Sequence, residues 1–242
     1  MMRLKQLALL ALAGILQTSA LASGLQVAPT TLTLQATQNA DGLWLSNTGD
    51  TPISAQVRVY RWTQESGEDK ETPSREVLVS PPMIQLAVND RQLVRIIRTG
   101  APPSEAEAAY RVVIDELPLP GSGPTKGVQF VLRYSVPVFM ASADSAAGPQ
   151  LSWKMRREGE RTVLEVANTG RVHAQLADLQ FADARGKKTE LHGGLLGYVL
   201  PGAQMRWQLK VPPAAFSGGG TLETLINGSA TQQNIPPIEP AR

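Results

Sequence analysis

The sequence predicts an all-β protein that contains two β-sandwiches. Three observations carry this prediction: short apolar stretches alternate with polar residues, turn motifs interrupt them at short intervals, and helical periodicity is nearly absent beyond residue 24. With 242 residues, the chain is long enough for two domains of roughly 100 residues, each with its own core. A single larger sandwich would also fit the length.

About seven short strands are predicted in the first half of the chain. They cover residues 26–34, 42–46, 53–62, 76–79, 92–98, 109–117 and 128–139. In the third of these, Ala55, Val57 and Val59 alternate with polar neighbours, which is the period of a half-buried strand. This number and spacing of strands is typical of a sandwich of immunoglobulin type. Residues 105–109 are the one stretch whose pattern allows a helical turn.

A change of composition divides the chain near residue 142. Residues 142–149 are small and polar and end in proline, as is typical of an interdomain linker. Each side of this segment contains an alternating strand, an Asn-Thr-Gly turn at residues 47–49 or 168–170, and then another strand with Ala-Gln near its start. We therefore predict two domains of one architecture, at residues 23–141 and 150–242.

Residues 1–22 have the features of a secretory signal peptide. Arg3 and Lys5 precede an apolar run over residues 7–16, and Ala20-Leu21-Ala22 provides the small residues typical of a cleavage site. The run is too short to cross a bilayer, and no later stretch reaches the ~18 apolar residues of a membrane helix. We expect an exported protein that begins near Ser23 and is not inserted into a membrane.

Composition and charge exclude several classes of function. The chain has no cysteine, which excludes disulfide frameworks, thiol nucleophiles and Cys-ligated metals. It carries 23 Lys and Arg against 21 Asp and Glu, and two of the basic residues, Arg3 and Lys5, lie in the predicted leader. The remainder is formally neutral, so a nucleic-acid partner has no electrostatic basis.

No motif indicates catalysis, a cofactor or a metal. His173 and His192 are the only histidines and lack the spacing of metal ligands, so both are interpreted as surface or strand-end residues. Asp115 and Glu116 are adjacent in a strand and point to opposite faces, which excludes a facing acid and base. Asn227-Gly228-Ser229 matches a glycosylation sequon, but Asn-Gly between strands favours a hairpin turn. We expect no enzyme and no cofactor.

Residues 128–139 are the most distinctive segment. Val128, Phe130, Leu132 and Tyr134 line one face of a predicted long strand. An ordinary core strand has the same alternation, and the pattern alone favours that interpretation. However, the strand is the last before the linker, which predicts an edge, and a long apolar edge invites pairing with another chain. Both interpretations stay open on the pattern.

Several of these stretches resemble the periplasmic chaperones of the chaperone–usher pilus pathway, whose two domains are immunoglobulin-like. Ser80-Pro81-Pro82 and the strand after it are similar to the family's proline pair. Residues 110–118 resemble its sixth strand, which ends in an acidic-apolar-proline corner, and residues 225–229 resemble the closing segment of the second domain. Residues 133–139 are most similar to the branch that serves archaic pili of spore-coat-type subunits.

The resemblance implies a periplasmic chaperone that binds incomplete pilin subunits and passes them to an outer-membrane usher. The last strand of the first domain would be lent to the subunit, with Val128, Phe130, Leu132 and Tyr134 as donor-strand side chains. Burying such a side chain in the subunit groove is worth roughly 1.5–3 kcal/mol.

In many members of that family a basic pair, from the first and last strands of the first domain, holds the subunit's terminal carboxylate. This sequence has Thr31 and Ser135 at those positions. Because a carboxylate in a desolvated cleft still needs a cation, another basic residue of the predicted hairpin should replace them. Arg111 stands at the start of one strand of this hairpin, near residues 133–135 at the end of the other, so we expect Arg111 to be the anchor, with Arg133 as the second candidate.

Two other classes of function remain as alternatives. A structural pilus or adhesin subunit would be one incomplete domain with a donor strand at its own mature N-terminus, whereas here Ser23-Gly24 leads almost at once into a strand. A secreted carbohydrate-binding module would need tryptophans arranged for stacking. The four tryptophans are scattered over both halves, which favours core packing; they are Trp44, Trp62, Trp153 and Trp207.

Overall fold

The computed structural model describes residues 24–118, 131–143 and 148–238. Within these ranges the regular elements are β-strands, apart from a one-turn 3₁₀ helix at Pro213–Phe216. The predicted all-β class is confirmed. The predicted signal peptide, Val128 and Phe130 of the predicted donor strand, and residues 144–147 of the predicted linker lie outside the described residues.

The first half forms a sandwich of two sheets. Its strands are β1 (Leu25–Ala28), β2 (Leu32–Leu34), β3 (Ala40–Asn47), β4 (Ile53–Glu65), β5 (Glu68–Pro73), β6 (Val77–Ser80), β7 (Met83–Leu86), β8 (Arg91–Arg98), β9 (Ala108–Leu117) and β10 (Arg133–Met140). A four-stranded sheet has the order β1-β3-β8-β6, and a six-stranded sheet has the order β2-β10-β9-β4-β5 with β7 paired to β4. Apolar side chains on alternate positions of both sheets form one core between them.

Several details of this half differ from the sequence-based expectation, among them strand β7, which was not predicted. The predicted strand 26–34 is two strands in different sheets, because Pro29 between them has no N–H to continue a ladder. Strand β5 was not predicted, since all six of its residues are exposed and its sequence shows no alternation. Residues 105–109 form no helical turn; instead Ala108 and Ala109 begin β9.

The second half forms a second sandwich around a separate core. Its strands are β11 (Leu151–Glu158), β12 (Arg161–Asn168), β13 (Ala174–Asp183), β14 (Lys188–Val199), β15 (Gln204–Leu209), β16 (Gly220–Ile226) and β17 (Ser229–Ile235). One sheet has the order β11-β12-β15 and the other β14-β13-β16-β17. Asn227 and Gly228 join β16 to β17 with φ values of 49° and 80°, which confirms the predicted hairpin turn.

A third, smaller apolar cluster joins the two sandwiches. Trp62 and Phe139 come from the outer face of the six-stranded sheet, and Tyr198 and Leu200 come from the second sandwich. The Trp62 and Tyr198 rings meet edge to face with 5.3 Å between their centroids. The outer face of the six-stranded sheet is therefore the one turned toward the second half.

Candidate functional site

The candidate site residues lie on this outer face of the six-stranded sheet. In the β9–β10 ladder Arg111 pairs with Pro137, and Arg133 pairs with Asp115. Residues two apart in a strand share a face, so both arginines point to the same side as Phe139. The strand alternation in the sequence predicts this common face, but it does not show how near the two cations are.

Arg111 is nearly enclosed between the two halves, with its side chain only 15% exposed. Its guanidinium lies over the Trp62 ring, 3.6 Å from the ring centroid, and 5.6 Å from the centroid of Tyr198. Burial lowers the pKa of Arg111 from its usual value, while the nearby Asp69 carboxylate opposes that shift. An arginine remains charged under these conditions because its reference pKa is above 12.

The hydrogen-bonding capacity of Arg111 is unused. The nearest carboxylate oxygen, Oδ2 of Asp69, is 3.9 Å from Nη2, which is beyond hydrogen-bond distance. Across the described ranges, no acceptor lies within hydrogen-bond reach of this guanidinium. The Trp62 indole N–H beneath it also has no acceptor there. A nearly buried guanidinium with free donors can bind an anion such as a carboxylate through two parallel bonds.

Arg133 lies in a different environment. Its side chain is 61% exposed, and Nε is 3.5 Å from Oδ1 of Asp115. The same carboxylate also accepts a short hydrogen bond from Arg58. Arg133 is four residues along β10 from Pro137, the neighbour of Arg111, which separates the two positions by about 13 Å along the strand. The structure therefore places the two candidate anchors apart, with Arg133 exposed beside Asp115 and Arg111 nearly enclosed.

The two positions without the expected basic residues flank this site. Thr31 is exposed and directly precedes Leu32, which pairs with Val138, so Thr31 adjoins the row of the sheet that contains Pro137 and Arg111. Ser135 is exposed and pairs with Val113. Arg111 on β9 thus lies in the same row of the sheet as Thr31, the position where the family pattern has a first-strand arginine.

Strand β10 is open along part of one edge. It pairs with β9 over its whole length, but β2 pairs only with Val138–Met140. Within the described part of the chain, Arg133–Pro137 therefore has no strand on its second side. The predicted edge is found over these five residues and not over Val138–Met140, which is an interior strand because β2 folds back against it.

The interpretation as an ordinary core strand holds for the second part of this segment. Val136, Val138 and Met140 are buried core residues, as in an ordinary sandwich strand. Leu132 directly precedes β10, is half-buried, and exchanges hydrogen bonds with Glu116 at 2.9 and 3.0 Å. Tyr134 is also half-buried and packs against the first core.

The Tyr134 hydroxyl links the two sheets of the first sandwich at the open edge. It donates to the Leu25 carbonyl at 2.5 Å, and burial raises the pKa of this phenol. Among the donor-strand candidates, the Tyr134 side chain thus already has a hydrogen-bond partner within this chain, on β1 of the opposite sheet.

His173 directly precedes β13, as expected of a strand-end residue, but its side chain is largely enclosed. Its ring stacks on Phe139 with 3.6 Å between centroids, and Nδ1 is 2.7 Å from Oε1 of Glu107. The Glu107 side chain is only 4% exposed. Because Glu107 and His173 are 66 residues apart and belong to different sandwiches, no local pattern could reveal the pair. His192 is exposed, as predicted.

The tryptophans are divided between interior and surface. Trp62 is buried at the junction, and Trp153 and Trp207 pack against the second core. Trp44 is the exception, since it is exposed and has the guanidinium carbon of Arg91 4.5 Å from its ring centroid. Core packing is thus correct for three of the four residues.

Within residues 24–118, 131–143 and 148–238, no helix combines the length and the apolar character needed to cross a membrane. No three acidic or histidine side chains converge there in a way that could hold a metal ion.

The first sandwich matches the sequence profile of a known family. The sequence profile of the pili and flagellar-assembly chaperones, PapD N-terminal domain, matches residues 24–143. No curated protein sequence matches the chain.

Solved structures match over most of both halves. A chain of the CsuC–CsuE chaperone–tip adhesion subunit pre-assembly complex, from archaic chaperone–usher Csu pili of Acinetobacter baumannii, is 23% identical with a TM-score of 0.69. The match covers 89% of this chain and 99% of that one. A chain of the Salmonella enterica SafA pilin–SafB chaperone complex is 22% identical with a TM-score of 0.62, covering 88% and 97%.

The Pseudomonas aeruginosa CupB2 chaperone is 20% identical with a TM-score of 0.58, and the match covers 86% of this chain and 98% of CupB2. At these identities the structural matches establish the fold, two immunoglobulin-like sandwiches in the arrangement of pilus chaperones. Taken together with the profile match over residues 24–143, they identify the chain as a member of the pili and flagellar-assembly chaperone family.

Proposed function

We propose that this protein is a periplasmic chaperone that binds incomplete pilin subunits through β10 and delivers them to an outer-membrane usher. The observation that carries the proposal is that no strand among the described residues pairs with the second edge of Arg133–Pro137, four residues or fewer from the row of the sheet that holds Arg111. Such an edge offers backbone N–H and C=O groups to an added strand, and neighbouring side chains supply specificity. The matched Salmonella structure is a pilin in complex with a chaperone, which supports this role.

The donor strand of this proposal comprises β10 and the residues before it. Val128, Phe130, Leu132 and Tyr134 would enter the groove of the subunit. Each side chain that becomes fully buried would contribute roughly 1.5–3 kcal/mol. The half-burial of Leu132 and the exposure of the neighbouring Val131 leave apolar surface available for this purpose.

Arg111 would bind the terminal carboxylate of the subunit. Its guanidinium has free donors and lies on an aromatic floor with little access to water. An ion pair formed in such a site is stronger than one on the surface, because water competes less for both charges. Arg133 is the weaker candidate, since it is exposed and already faces Asp115.

The proposal includes the organisation of the chain. Residues 1–22 would direct export and be removed, residues 23–141 would form the subunit-binding domain, and residues 142–149 would link it to the second domain at 150–242. Residues 133–139 and the match to a complex of the archaic Csu pili favour the branch that serves archaic pili.

Replacing Arg111 by Ala tests the anchor. The variant should remain folded and lose about tenfold or more in affinity for a pilin subunit co-expressed in the periplasm, since a charge-assisted hydrogen bond is worth about 1.5–3 kcal/mol. Arg185→Ala, an exposed arginine in a turn of the second sandwich, is the matched control and should bind normally. Co-purification at wild-type level by Arg111→Ala would refute Arg111 as the anchor.

A further inference from the structure

Asp69 holds the carboxylate that lies within ion-pair distance of Arg111. It belongs to β5 at the edge of the six-stranded sheet, two strands away from β9. The Arg111 side chain crosses β4 above Trp62 and ends with Nη2 3.9 Å from Oδ2 of Asp69. A residue of the exposed hairpin therefore faces the same cation that the proposed function assigns to an incoming carboxylate.

The position of Asp69 is set by contacts that involve both sandwiches. Gln64, its partner in the β4–β5 ladder, donates from Nε2 to Oδ1 of Asp69 at 2.8 Å. The same Gln64 nitrogen donates to the Tyr198 carbonyl at 2.9 Å, and its Oε1 accepts from the Leu200 N–H at 2.8 Å. Asp69 is consequently held beside Arg111 by the contact between the two halves.

The contact between Asp69 and Arg111 has the properties of a replaceable counter-ion. At 3.9 Å the charges attract each other, but no hydrogen bond forms and the guanidinium donors stay unused. The Asp69 side chain is 47% exposed, so water screens the pair and keeps it weak. A second carboxylate able to hydrogen-bond directly to the guanidinium would make the stronger contact.

We infer that Asp69 is an internal competitor for the carboxylate site of Arg111. It partly neutralises the buried cation while the site is empty and weakens the binding of an incoming terminal carboxylate. The inference rests on the proposed role of Arg111. A chaperone must release its subunit, and a built-in counter-ion lowers the free-energy cost of leaving Arg111 without a ligand.

A positioning role for Asp69 would have the opposite consequence. If Asp69 served to orient Arg111 for the ligand, then removing its charge would weaken carboxylate binding. The sign of the change in affinity therefore distinguishes a competitor from a positioning residue.

Acetate titration of the purified chaperone provides the test, with the Trp62 indole N–H signal in NMR spectra as the readout. Wild type should respond to acetate and not to acetamide, because only acetate carries the charge. Asp69→Asn should bind acetate about two- to fivefold more tightly, the range expected when a half-exposed ion pair no longer competes. Asp69→Ser serves as a second variant of the same position.

Glu71→Gln is the matched control. Glu71 lies on the same strand and faces Trp62 across the ladder, yet it is outside ion-pair distance of Arg111. Its replacement should change acetate binding less than that of Asp69. Unchanged or weaker binding by both Asp69 variants would overturn the inference.

Arg111→Gln separates this inference from the proposed function. The variant should abolish the response of the Trp62 signal, and a persistent response would overturn the competitor model because the acetate would then bind elsewhere. The pilin co-purification experiment reports on the chaperone function by itself. A loss of pilin binding without any effect of Asp69 on acetate affinity would refute the competitor and leave the function standing.

Discussion

Each of the two sandwiches contains the same turn, called the corner below, but their last strands differ. At the corner, a buried asparagine donates from its side chain to a carbonyl four residues further along and accepts from the glycine N–H two residues on. These bonds are Asn47 to Thr51 (2.8 Å) and Gly49 to Asn47 (3.0 Å) in the first sandwich, and Asn168 to Val172 (2.8 Å) and Gly170 to Asn168 (2.9 Å) in the second. The repeated Asn-Thr-Gly motif therefore marks a repeated three-dimensional turn.

The last strands of the two sandwiches, β10 and β17, differ in composition and burial. In β10 the residues from Val136 to Met140 are buried, and the part before them has a free edge. In β17 only Ala230 and Ile235 are apolar, and all residues are exposed except half-buried Gln233 and buried Ile235. The corner specifies the course of the chain, whereas the composition of the last strand determines which sandwich can offer an apolar edge.

The largest effect is expected at the contact between the two sandwiches. His173→Ala would leave the Glu107 carboxylate buried without the ring nitrogen that faces it at 2.7 Å. Removing a largely buried ring that stacks on Phe139, together with its hydrogen bond to a buried carboxylate, should cost about 3–5 kcal/mol, which urea unfolding would measure. His192→Ala, at an exposed site, should change stability by less than about 0.5 kcal/mol.

A second variant tests whether this cost comes from the buried charge. Adding Glu107→Gln to His173→Ala should restore part of the lost stability, because a neutral amide is less costly to bury than a carboxylate. Equal stabilities of the single and double variants would contradict the pairing.

The next comparison is between the buried part of β10 and the residues that precede β10. Val136→Ser should destabilise the free protein by about 3 kcal/mol, since it removes core volume and buries a hydroxyl. Phe130→Ser should cost the free protein little stability but release the pilin subunit, if Phe130 serves the subunit groove. Thermal unfolding together with periplasmic co-purification measures both. A large loss of stability in Phe130→Ser would instead make it a core residue.

The shared corner predicts similar losses in the two halves. Asn47→Ala and Asn168→Ala should each lower the free energy of unfolding by about 2–3 kcal/mol, because buried carbonyl groups lose their donor. Hydrogen exchange would assign each loss to its own sandwich. Protection that falls equally in both sandwiches for either variant would show that the corners act on the whole molecule.

The smallest effect is expected at alkaline pH. Burial, and then a hydrogen bond to Glu76, raise the pKa of Tyr110 to about 12. The unfolded phenol titrates near pH 10, so the folded state keeps a proton that the unfolded state loses. The stabilising contribution is complete below about pH 10 and declines as pH rises to about 12.

Comparing wild type with Tyr110→Phe isolates this contribution from other alkaline titrations. Between pH 9 and 11.5 (about one unit below and 1.5 units above the unfolded pKa), wild type should lose about 2 kcal/mol more than the variant. Parallel pH profiles of the two proteins would contradict the assignment.

Much of the fold could be predicted because a half-buried strand has alternating apolar and polar residues, which the local sequence shows. Strands such as β4 and β8 alternate and were predicted close to their observed bounds. Strand β5 was missed because both of its faces are exposed, so nothing in its residues alternates. The break at Pro29 shows the same limit, since an apolar run does not reveal that its two parts enter different sheets.

The candidate site was predictable only in part. Arg111 was predicted as the anchor because a resemblance implied a carboxylate anchor and the usual basic positions hold Thr31 and Ser135. Its enclosure by Trp62 and Tyr198 was not predictable, because these residues come from different sandwiches. For the same reason the enclosure of His173 at the start of β13 was not predicted.

By itself, the sequence determined the all-β class, the repeated Asn-Thr-Gly corner and the presence of an arginine at position 111. These properties depend on side-chain periodicity, turn chemistry and residue identity, which are local. Only the tertiary structure decided that β2 covers Val138–Met140 and leaves Arg133–Pro137 open, and that Asp69 faces Arg111. Such contacts depend on which distant strands pair and how two sandwiches meet, and the free energies that select them are summed over the whole molecule.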